Sequence, residues 1–247
     1  MTRDEQWLLD EKYHGEKTRG FFTDCSRLTA GEPLAYIIGH IPFFNTTIHL
    51  TSRPLIPRTE TEFWTERVIK EITDQGKTLV RVLDLCAGSG CIGVAILKAL
   101  PQATVDFVEI DTAHHPTILK NILQNDIDVT RAHILGGNLF EQVRGTYDYI
   151  LTNPPYIDAT HGRTEEAVIQ HEPALALWGG TAGMEIIEQI LSEAHVFLSE
   201  NGILYIEHEP EQAEIICAHA LPHGLGSENR TDQYGVLRFT RLFRLSP

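Results

Sequence analysis

From Leu79 onward the chain alternates short blocks of β-branched and large aliphatic residues with longer stretches in which apolar positions recur every three or four residues. The first kind of block fits a buried strand and the second a helix with one apolar stripe. On this reading Leu79–Leu85, Ala103–Ile110, Ala132–Leu135, Tyr147–Thr152, Gly202–Glu207 and Leu237–Leu245 are strands. Cys91–Leu100, stopped by Pro101, is a helix, as are Pro116–Asn125, the long amphipathic Met184–Leu198, and Glu211–Ala220. Strand–helix alternation sustained over this length predicts an α/β domain with a mostly parallel sheet covered on both faces.

The first 57 residues follow other rules. Residues 1–30 predict short helical pieces interrupted at Gly15 and Gly20, with Trp7, Leu8, Leu9, Phe21, Phe22 and Leu28 as packing candidates. Tyr36-Ile37-Ile38-Gly39, Phe43-Phe44-Asn45 and Thr46–Leu50 mix β-branched and aromatic residues with turn formers and predict a hairpin or short sheet. Pro54 and Pro57 then break the chain, and Thr59 or Thr61 is expected to cap a helix running to about Ile72. The stretch Asp158–Gly183 has no clear period, and irregular segments of that length inside a domain usually serve function.

Bulk properties narrow the classes. The chain has 247 residues, 42% hydrophobic and 22% charged, the balance of an ordinary globular protein. Its formal net charge of −14 opposes a phosphate backbone as main partner, since no dense Lys/Arg run offsets it. No apolar run is long enough to span a bilayer, and the polar start Met1–Gln6 carries no secretory signal, so a cytoplasmic protein is expected. Cys25, Cys86, Cys91 and Cys217 form no CxxC pair, and His114, His115 and His208 lack companions at metal-ligand spacing, so neither a disulfide framework nor a metal is expected.

Three places carry candidate chemistry. Asp84-Leu85-Cys86-Ala87-Gly88-Ser89-Gly90 sits where the first strand gives way to a helix. Glycines there let the backbone approach a ligand, and the helix start offers free N–H groups. Gly88-Ser89-Gly90-Cys91-Ile92-Gly93 matches GxGxxG, a pattern that separates nucleotide cofactors poorly and also occurs in turns without a ligand. Glu109 ends the next strand, where an acid can accept both hydroxyls of a ribose; Asp111 competes for that role, and either acid could instead cap the following helix. Asn153-Pro154-Pro155-Tyr156 follows the strand Tyr147–Thr152. Its prolines fix the backbone and expose carbonyls, Asn153 can offer a side-chain oxygen, and Tyr156 can set an aromatic face beside a cationic sulfonium.

Together these features resemble class I methyltransferases acting on planar nitrogens. Gly31-Glu32-Pro33-Leu34-Ala35-Tyr36-Ile37-Ile38-Gly39, Leu55-Ile56-Pro57-Arg58-Thr59-Glu60-Thr61-Glu62, and His171-Glu172-Pro173-Ala174-Leu175-Ala176-Leu177 with Gly179-Gly180 are similar to segments of one family within that class. That family is the release-factor glutamine methyltransferases, often called HemK or PrmC, and the similarity runs from about Thr29 to the C-terminus. It implies a Rossmann-like, mostly parallel seven-stranded sheet, with residues 1–32 as a short helical segment, 33–57 as a hairpin linker and 58–247 as the methyltransferase domain. S-adenosyl-L-methionine is the implied cofactor and S-adenosyl-L-homocysteine the product. The resemblance places cofactor contacts at Asp84, Cys86, Ala87, Gly88, Ser89, Gly90, Glu109, Asn138, Leu139 and Asn153. It places the glutamine at Asn153, Pro154, Pro155 and Tyr156, with Asn153, Pro154 and Tyr156 as the catalytic group. A release factor bearing a GGQ motif is the implied partner, and a monomer is expected.

The sequence departs from the family pattern where Cys86 replaces Gly, Asn138 replaces Asp, Thr59 replaces Pro and Ala182 replaces an acid, and the helical region before the hairpin is short. Asn153 Oδ1 and the Pro154 carbonyl are expected to accept the two amide N–H groups of the substrate and aim its nitrogen, with no strong general base needed. Methylation of a ribosomal-protein glutamine, and of adenine N6 in nucleic acid, are the alternatives. A cofactor-binding module without catalysis is a further rival.

Overall fold

The apolar pattern beyond Leu79 builds one mixed sheet in the computed structural model, which describes residues 1–160 and 165–245. Three helices precede it: α1 (Arg3–Tyr13), α2 (Arg19–Thr29) and α3 (Leu34–Ile38). Thr2 and Glu5 close a reciprocal capping box on α1, and Thr18 caps α2. Leu8, Leu9, Phe21 and Ile37 bury against one another as a small core of their own, whereas Trp7 stays 51% exposed. Tyr36-Ile37-Ile38 is therefore helical and not the start of the hairpin. Pro33 precedes the turn of helix and Gly39, at φ +94°, ends it, which overrides the β propensity of the two isoleucines.

The hairpin is β1 (His40–Phe43) against β2 (Thr46–His49). α4 (Thr59–Asp74) follows, with Arg58 at the cap position and no side chain capping it. The expectation that Thr59 or Thr61 caps this helix is thus corrected: both lie inside its first turn, and Thr61 turns its hydroxyl toward a distant carboxylate instead. The main domain continues as β3 (Arg81–Leu85), α5 (Cys91–Ala99), β4 (Thr104–Glu109), α6 (His115–Gln124), β5 (Ala132–Gly136) and β6 (Tyr147–Thr152). Then come α7 (Glu166–His171), α8 (Ala174–Leu177), α9 (Glu185–Phe197), β7 (Leu198–Glu207), α10 (Ala213–Ala220), β8 (Leu225–Thr231) and β9 (Leu237–Arg244). Residues 161–164 of the irregular segment, and the last two residues of the 58–247 unit, lie outside the described residues.

The seven strands run in the order β5-β4-β3-β6-β7-β9-β8, with β9 antiparallel to both its neighbours. β8 is absent from the hydrophobic pattern because its sequence, Leu225 to Thr231, buries only Leu225 and otherwise forms a polar edge. One face of the sheet packs Trp64, Val68 and Ile72 of α4 with Val94 and Ile96 of α5; the other packs Ile187, Ile190 and Leu191 of α9 with Ile216 of α10. Gly93 permits α5 to lie close on β4, since a Cβ there would stand 2.3 Å from the Phe107 ring. Asn121 of α6 and Asn125 at its C-cap, one turn apart, each accept and donate a backbone hydrogen bond, at His49 and Thr47 respectively. Two side-chain amides thereby cover the free edge of β2 and fasten the hairpin to the domain. Among the described residues no helix is long and apolar enough to cross a membrane.

Candidate active site

In a parallel sheet the chain order reverses between β3 and β6, and the carboxyl ends of the strands on either side of that reversal frame a crevice. After β3 the backbone enters the left-handed region three times, at Cys86 (φ +61°), Gly88 (+54°) and Gly90 (+76°). Only Cys86 carries a side chain there, a conformation that costs an L-residue roughly 1–2 kcal/mol. The loop is tied to the end of β4: Ala87 N–H donates to the Val108 carbonyl (2.9 Å) and Gly88 N–H to Glu109 Oε2 (2.7 Å). Glu109 Oε1 accepts the N–H of Asp111 (2.8 Å). Asp111, not Glu109, caps the next turn of helix, accepting from Ala113 N–H.

The crevice is walled by Cys86, Gly88, Glu109, Asn138, Leu139, Asn153 and Pro155, which brings together seven of the residues expected at the site. Asp84, Ala87, Ser89, Gly90 and Pro154 are buried behind that wall. Leu55, Ile110, His114, Leu175 and Trp178 also face it and escape single-residue reasoning. They come from segments that carry the family resemblance or flank Glu109, which is the one signal that could have found them. Burial pushes the Cys86 thiol up to about 12, so it faces the crevice as a neutral group.

Asp84 is completely buried; its Oδ2 accepts Gly93 N–H (2.9 Å), while its Oδ1 has no hydrogen-bond partner among the described residues. Burial raises its pKa to about 8. The unfolded chain releases this proton near the ordinary aspartate value of about 4. Between these limits the folded state carries the extra proton, so stability falls as pH rises from about 4 to about 8. Asp84→Asn removes that titration and can still accept from Gly93. Melting curves should show the variant gaining on the parent protein across this window, and a constant difference would show that Asp84 is ionised throughout.

Asn153 donates from Nδ2 to Thr61 Oγ1 (3.1 Å), and Thr61 Oγ1 donates to Glu207 Oε2 (2.7 Å). The same oxygen accepts Trp64 Nε1–H (2.7 Å), and Glu207 Oε1 accepts the Tyr156 hydroxyl (2.9 Å). Tyr156 is thereby turned away from the crevice. It lines a second chamber of ≈ 320 Å³ with Arg58, Glu60, Glu207, Gln212 and Arg238, so the expected aromatic face on the sulfonium side is a hydroxyl anchored on a carboxylate. Glu207 is 1% exposed, and burial raises its pKa despite three donors. It faces this chamber. His208 is buried between the Glu209 carbonyl and Thr240, and burial lowers its pKa to about 4.

The segment after the motif closes over it. Ile157 bridges to Trp178, and Gln212 Nε2 donates to the carbonyls of Tyr156 (2.8 Å) and Ala182 (3.0 Å). Glu172 accepts from Ile56 N–H (2.9 Å) and Arg58 Nη2 (2.6 Å), which ties the chain before α4 to α7 and α8.

Residues 65–178 match the methyltransferase small domain model. The ribosomal protein uL3 glutamine methyltransferase of Bordetella pertussis is 31% identical over 87% of this chain and 72% of its own length. The release factor glutamine methyltransferase of Bifidobacterium longum is 33% identical over 87% of this chain and 76% of its own. The 16S rRNA N2 G1207 methyltransferase of T. thermophilus, solved with AdoMet and guanosine, superposes with a TM-score of 0.58 at 17% identity, over 84% of this chain and 50% of that one, a likeness of fold alone. The chain belongs to the family of S-adenosylmethionine-dependent protein glutamine methyltransferases that acts on release factors and ribosomal protein uL3.

Proposed function

We propose that this chain methylates the side-chain amide nitrogen of the GGQ glutamine of peptide chain release factors, acting as a monomer in the cytoplasm where those factors work. The observation that carries the reading is the tethered amide of Asn153. Its Nδ2 is held by Thr61, which leaves Oδ1 as an acceptor on a residue that walls the crevice. The Pro154 carbonyl follows it in a backbone that two prolines fix. Asn153 Oδ1, with the Pro154 carbonyl as the next acceptor along the chain, suits the N–H groups of a primary amide; such acceptors orient its nitrogen and stabilise the positive charge that develops on it.

The donor set also suits the cofactor. S-adenosylmethionine supplies an electrophilic methyl group on a sulfonium. Glu109 keeps lone pairs for ribose hydroxyls beside the two backbone N–H groups that it already accepts. Gly88 presents an open side, since a Cβ there meets nothing within 4 Å. Leu139 and Ile110 supply apolar walls near Asn138 for a flat base.

The uL3 relative favours a second reading, glutamine methylation of that ribosomal protein. Adenine N6 methylation is disfavoured by a net charge of −14. Purified protein incubated with radiolabelled S-adenosylmethionine and the release factor of its own source should label that factor. A copy in which the GGQ glutamine is alanine should stay unlabelled. Label on uL3 and none on the factor would move the assignment to the second reading.

A further inference from the structure

We infer that Thr61 and Glu207 are positioning residues that set which end of the Asn153 amide faces the substrate, an inference that rests on the reading of Asn153 given above. Asparagine's two ends are nearly the same shape, and only hydrogen-bond polarity decides which way the group turns. Here the polarity is imposed from a distance. The Trp64 indole N–H is a donor that cannot reverse, and it meets Glu207 Oε2 at 2.7 Å. The Thr61 hydroxyl donates to the same oxygen, also at 2.7 Å. A hydroxyl has one proton; with that proton committed, Thr61 offers Asn153 only lone pairs. The group of Asn153 that faces Thr61 at 3.1 Å must then be the NH₂, and Oδ1 must be the other end.

Burial makes the arrangement hard to undo. Thr61, Trp64 and Glu207 are each 1% exposed or less, so water cannot substitute for a lost partner. The Tyr156 hydroxyl occupies the remaining oxygen of Glu207, so one carboxylate fixes both polar side chains of the Asn153–Tyr156 motif. If Asn153 turned over, its NH₂ would confront the N–H groups of the substrate amide and its oxygen would confront the lone pairs of Thr61. Both contacts would be repulsive.

A hydroxyl and its apolar isostere should behave differently at position 61. Thr61→Val keeps the shape and removes the acceptor, so the Asn153 amide is free to turn. Thr61→Ser keeps the polarity. Glu207→Gln should also keep it, because Trp64 selects the glutamine oxygen and the Tyr156 hydroxyl can turn round to accept. Steady-state methylation of the release factor is therefore expected to show kcat lowered roughly 10- to 100-fold in T61V, the range for a misplaced orienting group. T61S should stay within about threefold of the parent protein, Glu207→Leu, which frees the Thr61 proton, should lose kcat as T61V does, and calorimetric cofactor affinity should be unchanged in all three. Asn153→Ala provides the reference. If N153A is inactive while T61V matches the parent in kcat, the positioning role falls and the reading of Asn153 stands. If N153A is itself active, that reading falls first. Loss of kcat in T61V that T61S fails to restore would overturn the positioning role as well. Should T61V fail to fold, the side-chain NH₂ signals of Asn153 in the unaltered protein, identified by their loss in N153A, decide the matter. Protection from solvent exchange is expected, and exchange at the free-amide rate would overturn the inference.

Discussion

Asn153→Ala should lower kcat for release-factor methylation roughly 10²- to 10³-fold, the usual loss when a group that stabilises developing charge is removed. The nitrogen of a carboxamide is a weak nucleophile because its lone pair is shared with the carbonyl, and positive charge builds on it as the new bond forms. An acceptor fixed against its N–H bonds is worth more at that moment than when substrate first binds, so the loss belongs in kcat rather than KM. Asn153 is one wall residue among many in the crevice, with Glu109, Gly88 and Leu139 on other elements, so cofactor affinity should change only a few-fold. Asn153→Asp should be no better. A carboxylate keeps an acceptor toward the substrate but sets a second one against the Thr61 oxygen, whose proton is already given to Glu207. Single-turnover rates with saturating cofactor, alongside a cofactor titration, separate these effects. N153A retaining kcat within tenfold of the parent would mean that the substrate amide is recognised elsewhere.

Much of the candidate site's placement around one crevice was legible because its parts are local. The Cys86–Gly90 loop, Glu109 and Asn153–Tyr156 each follow a strand whose apolar run is plain in the sequence, and the sheet must bring such strand ends together. The parallel core read correctly for the same reason, since Val82–Leu85, Val105–Val108 and Tyr149–Leu151 are continuous apolar runs broken only by Asp84 and Asp106. What did not read is non-local or set by context. Glu207 lies 146 residues from Thr61, and no spacing rule links a threonine in the first turn of a helix to a carboxylate at a strand end. Tyr156 was expected to offer its ring, and only that same carboxylate explains why it offers a hydroxyl to another chamber. Tyr36-Ile37-Ile38 has strand propensity and became helix because Pro33, Gly39 and the Leu8–Leu9 core leave room for a single turn. β8 was missed because an edge strand that buries one residue has no alternation to detect.

Gly183→Ala is the glycine substitution expected to damage the fold most. Gly183 sits at φ +67°, and a Cβ built on it would stand 1.9 Å from the Tyr156 carbonyl oxygen and 2.5 Å from Gln212 Nε2. The left-handed backbone alone costs alanine roughly 1–2 kcal/mol. The contact costs more, because its partner is backbone that cannot move without moving the motif. Tyr156 is followed by Ile157, which is pinned to Leu177, Trp178 and Gly179, and the Tyr156 carbonyl would have to give up its hydrogen bond from Gln212. Together the terms reach the range of roughly 4–5 kcal/mol that marks an exceptional single substitution. For a domain of this size, that corresponds to a fall in melting temperature on the order of 10 °C. Gly235→Ala isolates the backbone contribution: Gly235 has φ +79°, but nothing lies within 4 Å of its Cβ position, so only the left-handed conformation is penalised there. Thermal melts of the two variants should therefore differ several-fold in their shift, with G183A also losing methyl transfer and G235A keeping it. Equal shifts would show that the turn at Gly183 can move away from Tyr156 freely, and that closure of the 179–183 segment over the motif contributes nothing to holding it.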